Sequence, residues 1–160
     1  MVDTGVREVC GDLLRAEVDA LVNPVNTVGV MGKGLALAFR RAYPEMFREH
    51  AAACQRGEVV VGSMFVWRDG PRFVVNFPTK RHWRSRSTVA DIEAGLSELV
   101  STVRELGIRS IAVPALGCGY GGLDWPAVEP LIRSAFEPLS ATVGVYLYPP
   151  TVARGSADGE

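Results

Sequence analysis

Cysteine is scarce and histidine scarcer, with Cys10, Cys54 and Cys118 set against His50 and His82 in 160 residues. An odd cysteine count without metal-ligand spacing argues against a disulfide framework and fits a reducing compartment. No metal or redox cofactor is called for. Long apolar runs are missing too: none approaches the ~20 residues a helix needs to span a bilayer, and the N-terminus lacks a signal-peptide pattern. The expectation is a soluble, cytoplasmic protein with no membrane association. Nor does charge of one sign dominate, since 17 Lys and Arg face 18 Asp and Glu for a net charge of −1. That excludes wholesale coating of nucleic acid but leaves room for a local basic patch. Repeats, low-complexity blocks and Pro/Gly-rich linkers are absent, and the length fits one domain with a substantial core. The domain is expected over residues 1–150. Residues 151–160, which include Gly155, Ser156, Ala157, Asp158 and Gly159, read as a frayed tail or the edge of a linker.

What is present is an alternation of strand-like and helix-like segments. Val6–Cys10, Ala20–Val25, Met64–Trp67, Arg72–Phe77, Ser110–Ala115 and Thr142–Tyr148 are short, β-branched or aromatic, and bounded by turn formers. Ala20–Val25 and Ile111–Ala115 are continuously apolar, as in strands covered on both faces. Thr88 caps a helix in which Val89, Ile92, Leu96, Leu99, Val103 and Leu106 recur at helical spacing until Gly107. Lys33–Ala42 and Pro44–Arg56 form two more helices, separated because proline disfavours helical geometry in the residue before it. A fourth is expected over Trp125–Phe136, with Asp124 as its cap and Pro130 placed awkwardly inside. Such alternation defines an α/β fold with a largely buried sheet. Ligands of such folds gather on loops leaving the carboxyl ends of central strands.

Two loops in that position are unusual. The first contains Asn23-Pro24-Val25-Asn26 and then Met31-Gly32-Lys33-Gly34 before a helix. Its glycines permit close backbone approach, and the asparagine amides suit sugar hydroxyls. The plainer reading is a chain reversal whose asparagines bond their own backbone. The second reads Gly117-Cys118-Gly119-Tyr120-Gly121-Gly122-Leu123-Asp124, four glycines in six residues running into a helix N-terminus. That arrangement cradles a diphosphate through backbone amides. It is neither a P-loop nor a dinucleotide fingerprint, and its plainer reading is a flexible surface loop.

Gly11-Asp12-Leu13, Asn23-Pro24-Val25-Asn26, Met31-Gly32-Lys33-Gly34 and Pro114-Ala115-Leu116-Gly117-Cys118-Gly119 occur in this order and together resemble a macrodomain from about Val6 to Tyr148. The resemblance implies a three-layer α/β/α fold with a central mixed sheet and ADP-ribose across its crest. On that basis Asp12 accepts from the adenine amino group and the Leu13 amide supports the same ring. Gly117, Cys118, Gly119, Tyr120, Gly121 and Gly122 hold the diphosphate. Asn23, Asn26, Met31, Gly32, Lys33 and Gly34 surround the distal ribose. Tyr148 lies beside the adenine or is a buried structural tyrosine. Within the family, the Met-Gly-Lys-Gly loop and Asn76-Phe77-Pro78-Thr79-Lys80 are similar to the branch holding the DarG antitoxins and the terminal ADP-ribose–protein glycohydrolase. That likeness brings Thr79 to the ligand and implies that Lys80 is catalytic. The protein-directed relative carries an aspartate two residues past Gly-Cys-Gly, where this chain has Gly121. The departure matches the DarG-like pattern, which resemblance links to removal of ADP-ribose from thymidine bases in DNA.

The chemistry can be put without the family. Cleaving an ADP-ribosyl bond to a base nitrogen passes through an oxocarbenium-like state while negative charge gathers on the leaving base. A protonated Lys80 stabilises or protonates that base; a neutral Lys80 attacks the anomeric carbon, which requires a lowered pKa. Arg81 and Arg84 are candidates to lower it. The segment Lys80-Arg81-His82-Trp83-Arg84-Ser85-Arg86 carries four cations in seven residues. Arg81, Arg84 and Arg86 suit phosphates, while His82 and Trp83 suit stacking on an exposed base; the alternative is a basic surface loop with a packed tryptophan. A thymine ring nitrogen is hidden in a duplex, so the expected substrate is single-stranded or flipped out. Asp124 reads as a cap before it reads as a base. Cys118 lacks a histidine partner in sequence and reads as small packing, and His50 needs no role beyond its helix. The leading expectation is a DNA ADP-ribosyl glycohydrolase of antitoxin type. Its implied partners are ADP-ribose, ADP-ribosylated DNA and a cognate DNA ADP-ribosyltransferase toxin. The alternatives are a hydrolase of ADP-ribose esters on protein carboxylates or of acylated ADP-ribose, and a non-catalytic ADP-ribose reader.

Overall fold

Six strands and four α-helices alternate along residues 4–150, the part of the chain that the computed structural model describes. The tail expected over 151–160 lies outside those residues. The strands are β1 (Gly5–Glu8), β2 (Ala20–Val25), β3 (Phe65–Asp69), β4 (Arg72–Pro78), β5 (Ser110–Pro114) and β6 (Gly144–Tyr148). The helices are α1 (Gly34–Ala42), α2 (Pro44–Gln55), α3 (Val89–Leu106) and α4 (Trp125–Phe136). They form one sheet in the order β1-β6-β5-β2-β4-β3. Every neighbouring pair is parallel except the β3–β4 hairpin, which makes the sheet mixed as expected.

Strand periodicity sorts the sheet residues into two cores. Ala20, Val22, Val75, Phe77, Ile111, Val113, Val145 and Leu147 face α3 and α4, meeting Ile92, Leu96, Leu99, Val128, Ile132 and Phe136. Leu21, Val74 and Ala112 point the other way, towards Phe39 of α1 and Met46 of α2. Because side chains alternate along a strand, each central strand fills both cores, and this is why β2 reads as apolar on both faces with Asn23 as its polar exception. The result is the three-layer α/β/α architecture. Each fully buried aliphatic or aromatic side chain contributes about 1.5–3 kcal/mol to it.

Local signals explain most helix ends. Thr88 Oγ1 accepts from the Asp91 amide at 3.1 Å, and Gly107 stops α3 in the left-handed region at φ 67. Pro44 opens α2 at its first turn, after Tyr43 has left helical geometry. The expected cap at Asp124 needs correction: its side chain makes no capping hydrogen bond. Pro126 removes one amide that a cap would bind, and the Ala127 amide is taken by the Asp124 main-chain carbonyl at 2.9 Å. Pro130 stays inside α4 because its missing N–H would have met the carbonyl of Pro126, an exposed residue where water can substitute. A short 3-10 turn over Leu13–Arg15 was not anticipated.

Gly95 exposes a packing constraint in α3. A Cβ there would press on the Phe77 ring, with Phe77 Cε1 only 2.5 Å away. Gly95→Ala therefore reverses the usual gain of up to about 1 kcal/mol for alanine in a helix, because overpacking a filled core costs about 1–3 kcal/mol. Urea unfolding is expected to show net destabilisation with an unchanged m-value; a stabilised variant would mean that Phe77 yields at no cost.

Candidate functional site at the carboxyl edge of the sheet

Five mutually parallel strands place five carboxyl ends on one edge, so the segments following β1, β2, β4, β5 and β6 converge there. The candidate ligand-binding, catalytic and DNA-binding residues expected from the sequence lie in or against these segments.

The loop after β2 is built by its own asparagine. Asn26 Oδ1 accepts from the Val28 and Val30 amides at 3.1 and 3.2 Å, and Nδ2 donates to the Val30 carbonyl at 2.8 Å. Asn26 thus holds the turn, as the plainer reading had it. Asn23 lies deeper, wholly buried. Its Nδ2 donates to Oδ1 of Asn76, its register partner on β4, at 3.1 Å, and lies 3.8 Å from Met31 Sδ. Asn76 in turn donates to Met46 Sδ at 3.2 Å. An amide pair therefore sits inside the α1/α2 core directly under Met31, with Asn23 Oδ1 lacking a partner. Gly32, Lys33 and Gly34 are exposed above it.

The loop after β4 is tied to the first. Thr79 continues the sheet with its amide on the Val25 carbonyl at 2.9 Å, while Thr27 donates from both N and Oγ1 to the Arg81 carbonyl at 3.0 and 2.8 Å. Between these anchors Lys80 is half-buried and donates from Nζ to the Trp83 carbonyl at 3.1 Å. Burial, and secondarily the Lys33 ammonium, push the Lys80 pKa below its ordinary value. The cation responsible is Lys33 rather than Arg81 or Arg84. Arg81 is turned onto Asp91 at 3.1 Å, and Arg84 lies over the Trp83 ring. Arg86 is exposed and packs against the loop after β5, its guanidinium filling the space beside Gly122.

That loop shows why glycine is needed at one position and free at another. A Cβ on Gly121 would strike Ser87 Oγ and lie 2.5 Å from the Gly117 carbonyl oxygen. Ser87 is buried beneath it, donating its amide to the Gly121 carbonyl at 3.0 Å while its Oγ finds no partner. A Cβ on Gly119, by contrast, would meet nothing within 4 Å. Tyr120 reaches back across the crest: its ring lies against Gly34, and Lys33 Nζ is 5.3 Å from the ring centroid. Burial and then Asp124 raise the Cys118 thiol to about 11, which disfavours the thiolate that a nucleophile needs.

At the far end Asp12 Oδ1 accepts from the Leu14 amide at 3.0 Å and shapes the 3-10 turn; the Leu13 side chain is buried. Tyr148 is half-buried against the core that holds Leu13, and its hydroxyl pKa is raised by burial and then by the Asp12 carboxylate. His50 lies away from the edge, buried against Phe65 and held neutral with a pKa near 4. Among the described residues no group of three or more His, Cys, Asp or Glu is gathered to hold a metal, and no helix is long and apolar enough to cross a membrane. Sequence reasoning missed Thr27, Asn76 and Ser87. Only contact across strands or loops gives these residues a role, and a linear motif carries no signal for it.

A three-layer α/β/α domain whose mixed sheet carries a glycine-rich loop and two lysines at its carboxyl edge is a module of the kind whose ligands gather at strand ends. The chain belongs to the macrodomain family, whose Macro domain model matches residues 22–132. It is 54% identical over 153 residues to a DNA ADP-ribosyl glycohydrolase of Mycobacterium tuberculosis, a match covering 93% of this chain and 43% of the relative. The chain thus spans less than half the length of that curated relative. The macrodomain of Mycobacterium tuberculosis DarG superposes with a TM-score of 0.88 at 54% identity, covering 92% of this chain and 99% of that one. Thermosipho africanus DarTG in complex with ADP-ribose gives 0.86 at 35% identity, covering 95% and 43%.

Proposed function

We propose that this chain is the catalytic macrodomain of a DNA ADP-ribosyl glycohydrolase that releases ADP-ribose from thymidine bases in single-stranded DNA. The observation that carries the reading is the position of Lys80. Its ammonium is half-buried at a strand end, electrostatically coupled to Lys33 of the first loop, and bonded to the carbonyl of an exposed tryptophan. One side of it offers a site for ADP-ribose and the other a site for a base. Asp12 and Tyr148 then take the adenine, the loop from Gly117 to Gly122 takes the diphosphate, and Met31 to Gly34 border the distal ribose. Asn23 and Asn26 act from beneath, by fixing that loop. The 54% identity to a DNA ADP-ribosyl glycohydrolase supports the same assignment, as does ADP-ribose in the Thermosipho complex. The transferase toxin implied by the resemblance is the proposed partner. Incubation with an ADP-ribosylated thymidine oligonucleotide and with glutamate-ADP-ribosylated protein, following ADP-ribose release, tests the reading. Faster release from protein would overturn it in favour of carboxylate esters.

The basic segment supplies a separate expected result. Single-strand binding loses about 0.7 in salt slope per phosphate contact removed. The Arg81→Gln/Arg84→Gln variant should therefore bind the modified oligonucleotide more weakly, with a slope shallower by about 1.4. Free ADP-ribose affinity should be unchanged, because neither guanidinium touches the glycine cradle and Arg81, mostly exposed in its pair with half-buried Asp91, adds little to folding. An unchanged slope would remove these arginines from the DNA path.

A further inference from the structure

Three flat side chains are stacked in the loop between β4 and α3. The His82 and Trp83 rings lie 5.0 Å apart, centroid to centroid, tilted by 31°. The Arg84 guanidinium carbon is 4.5 Å from the Trp83 ring centroid. This stack is held in place from within the loop. The Ser85 amide donates to the His82 carbonyl at 2.9 Å, the Arg84 amide to His82 Nδ1 at 3.1 Å, and Thr27 anchors the Arg81 carbonyl. Among the described residues it stays open to solvent: Trp83 is 40% exposed, and His82 and Arg84 are exposed beside it. Ordered aromatic and guanidinium planes open to solvent are the surface on which a nucleobase stacks, whatever its identity.

Position decides which base. The Trp83 carbonyl accepts from Lys80 Nζ at 3.1 Å, so the indole and the ammonium belong to one residue-length of chain. The residue whose carbonyl holds the ammonium therefore also carries the central plane of the stack. Resting on the reading of this chain as a hydrolase of thymidine-linked ADP-ribose, we propose that the His82–Trp83–Arg84 stack is the seat of the modified base itself, rather than of its neighbours along the strand. The seat makes the enzyme select flat leaving groups over carboxylate esters and requires the base to be unstacked from a duplex.

Trp83→Ala and Trp83→Phe, compared on an ADP-ribosylated oligonucleotide and on the ADP-ribosylated thymidine nucleoside, test this. Trp83→Ala keeps the carbonyl that holds Lys80, so the pH profile should keep its shape. The value of kcat/KM should fall about 10-fold to 100-fold on both substrates, the size of one base–aromatic stack. Trp83→Phe should recover most of the loss, and free ADP-ribose should bind all three proteins alike. A loss confined to the oligonucleotide would assign the stack to a neighbouring base and overturn the proposal, as would a wild-type kcat/KM in Trp83→Ala on both substrates or a parallel loss of ADP-ribose affinity. If the wild-type protein cleaves neither substrate, the hydrolase reading fails by itself. The seat is then judged by fluorescence, where the modified oligonucleotide should quench the wild-type emission more than that of Trp83→Phe. Equal quenching would overturn the seat as well.

Discussion

Lys80→Ala is expected to lower ADP-ribose release from modified thymidine by about 100-fold to 10,000-fold, the range of a lost acid–base or charge-stabilising group, while free ADP-ribose binds within a few-fold of wild type. The separation follows from geometry. In the proposed reading, ground-state contacts to ADP-ribose belong to the glycine loop and Asp12, whereas Lys80 donates to the Trp83 carbonyl and meets the leaving base. An interaction made mainly as charge develops on the base lowers kcat rather than binding. The protonation state that matters can be read from pH. Burial and Lys33 hold the Lys80 pKa below its ordinary value, so the amine titrates earlier than a surface lysine. If the ammonium stabilises the departing thymine, activity falls as pH rises through that lowered pKa, and Lys80→Arg keeps part of the rate. If the neutral amine attacks the anomeric carbon, activity instead rises towards that pKa, Lys80→Arg is inactive, and borohydride traps added mass on Lys80 once the ribose opens to a Schiff base. In either case Lys33→Met should move the titration to higher pH. A thymine anion leaves readily enough to favour the ammonium role. Full activity in Lys80→Ala would remove Lys80 from the chemistry, whereas a wild-type protein that binds ADP-ribose and cleaves nothing would be a reader.

How much of this was legible in the chain depends on whether a residue acts through local or non-local contacts. Thr88, Gly107 and Pro44 act within one turn of their own positions, and the helix ends they announce are found where expected. All six strands were legible because β2 and β5, with apolar residues on both faces, can only be central. Asp124 misled, because its position matched a cap while Pro126 had removed a recipient. The site residues divide similarly. Lys80 stood out through its place at the end of β4 and a resemblance, but the cation beside it was sought among its sequence neighbours. Arg81 and Arg84 are adjacent in the chain but engaged elsewhere, and the charge that reaches Lys80 is Lys33, 47 positions earlier on a different loop. Asn76 read only as part of a motif; pairing β2 with β4 in register makes it the support of Asn23. Ser87 drew no reading from the sequence, yet it fills the space under Gly121.

That last contact sharpens the second large effect, at the diphosphate loop. Gly119→Glu is expected to fold normally and to weaken ADP-ribose binding by more than about 100-fold. Folding is safe because a side chain at position 119 enters open space, meeting nothing within 4 Å, and the residue is exposed without a left-handed φ. Binding is not, because a carboxylate beside a diphosphate at ~4 Å costs about 4 kcal/mol per charge pair at an effective dielectric constant near 20. Gly119→Gln separates bulk from charge: if repulsion is the cause, glutamine retains most of the affinity and raised salt partly rescues glutamate. Gly121 behaves differently although it is two residues away. Gly121→Asp, which imitates the protein-directed relative, must displace both Ser87 Oγ and the Gly117 carbonyl. Removing the hydroxyl with Ser87→Ala leaves the main-chain clash in place, so the double variant should remain impaired in stability and in ADP-ribose binding. An aspartate at 121 that folds, binds and cleaves glutamate-linked ADP-ribose would show that the loop repacks freely. Intact affinity in a folded Gly119→Glu protein would place the diphosphate elsewhere on the crest.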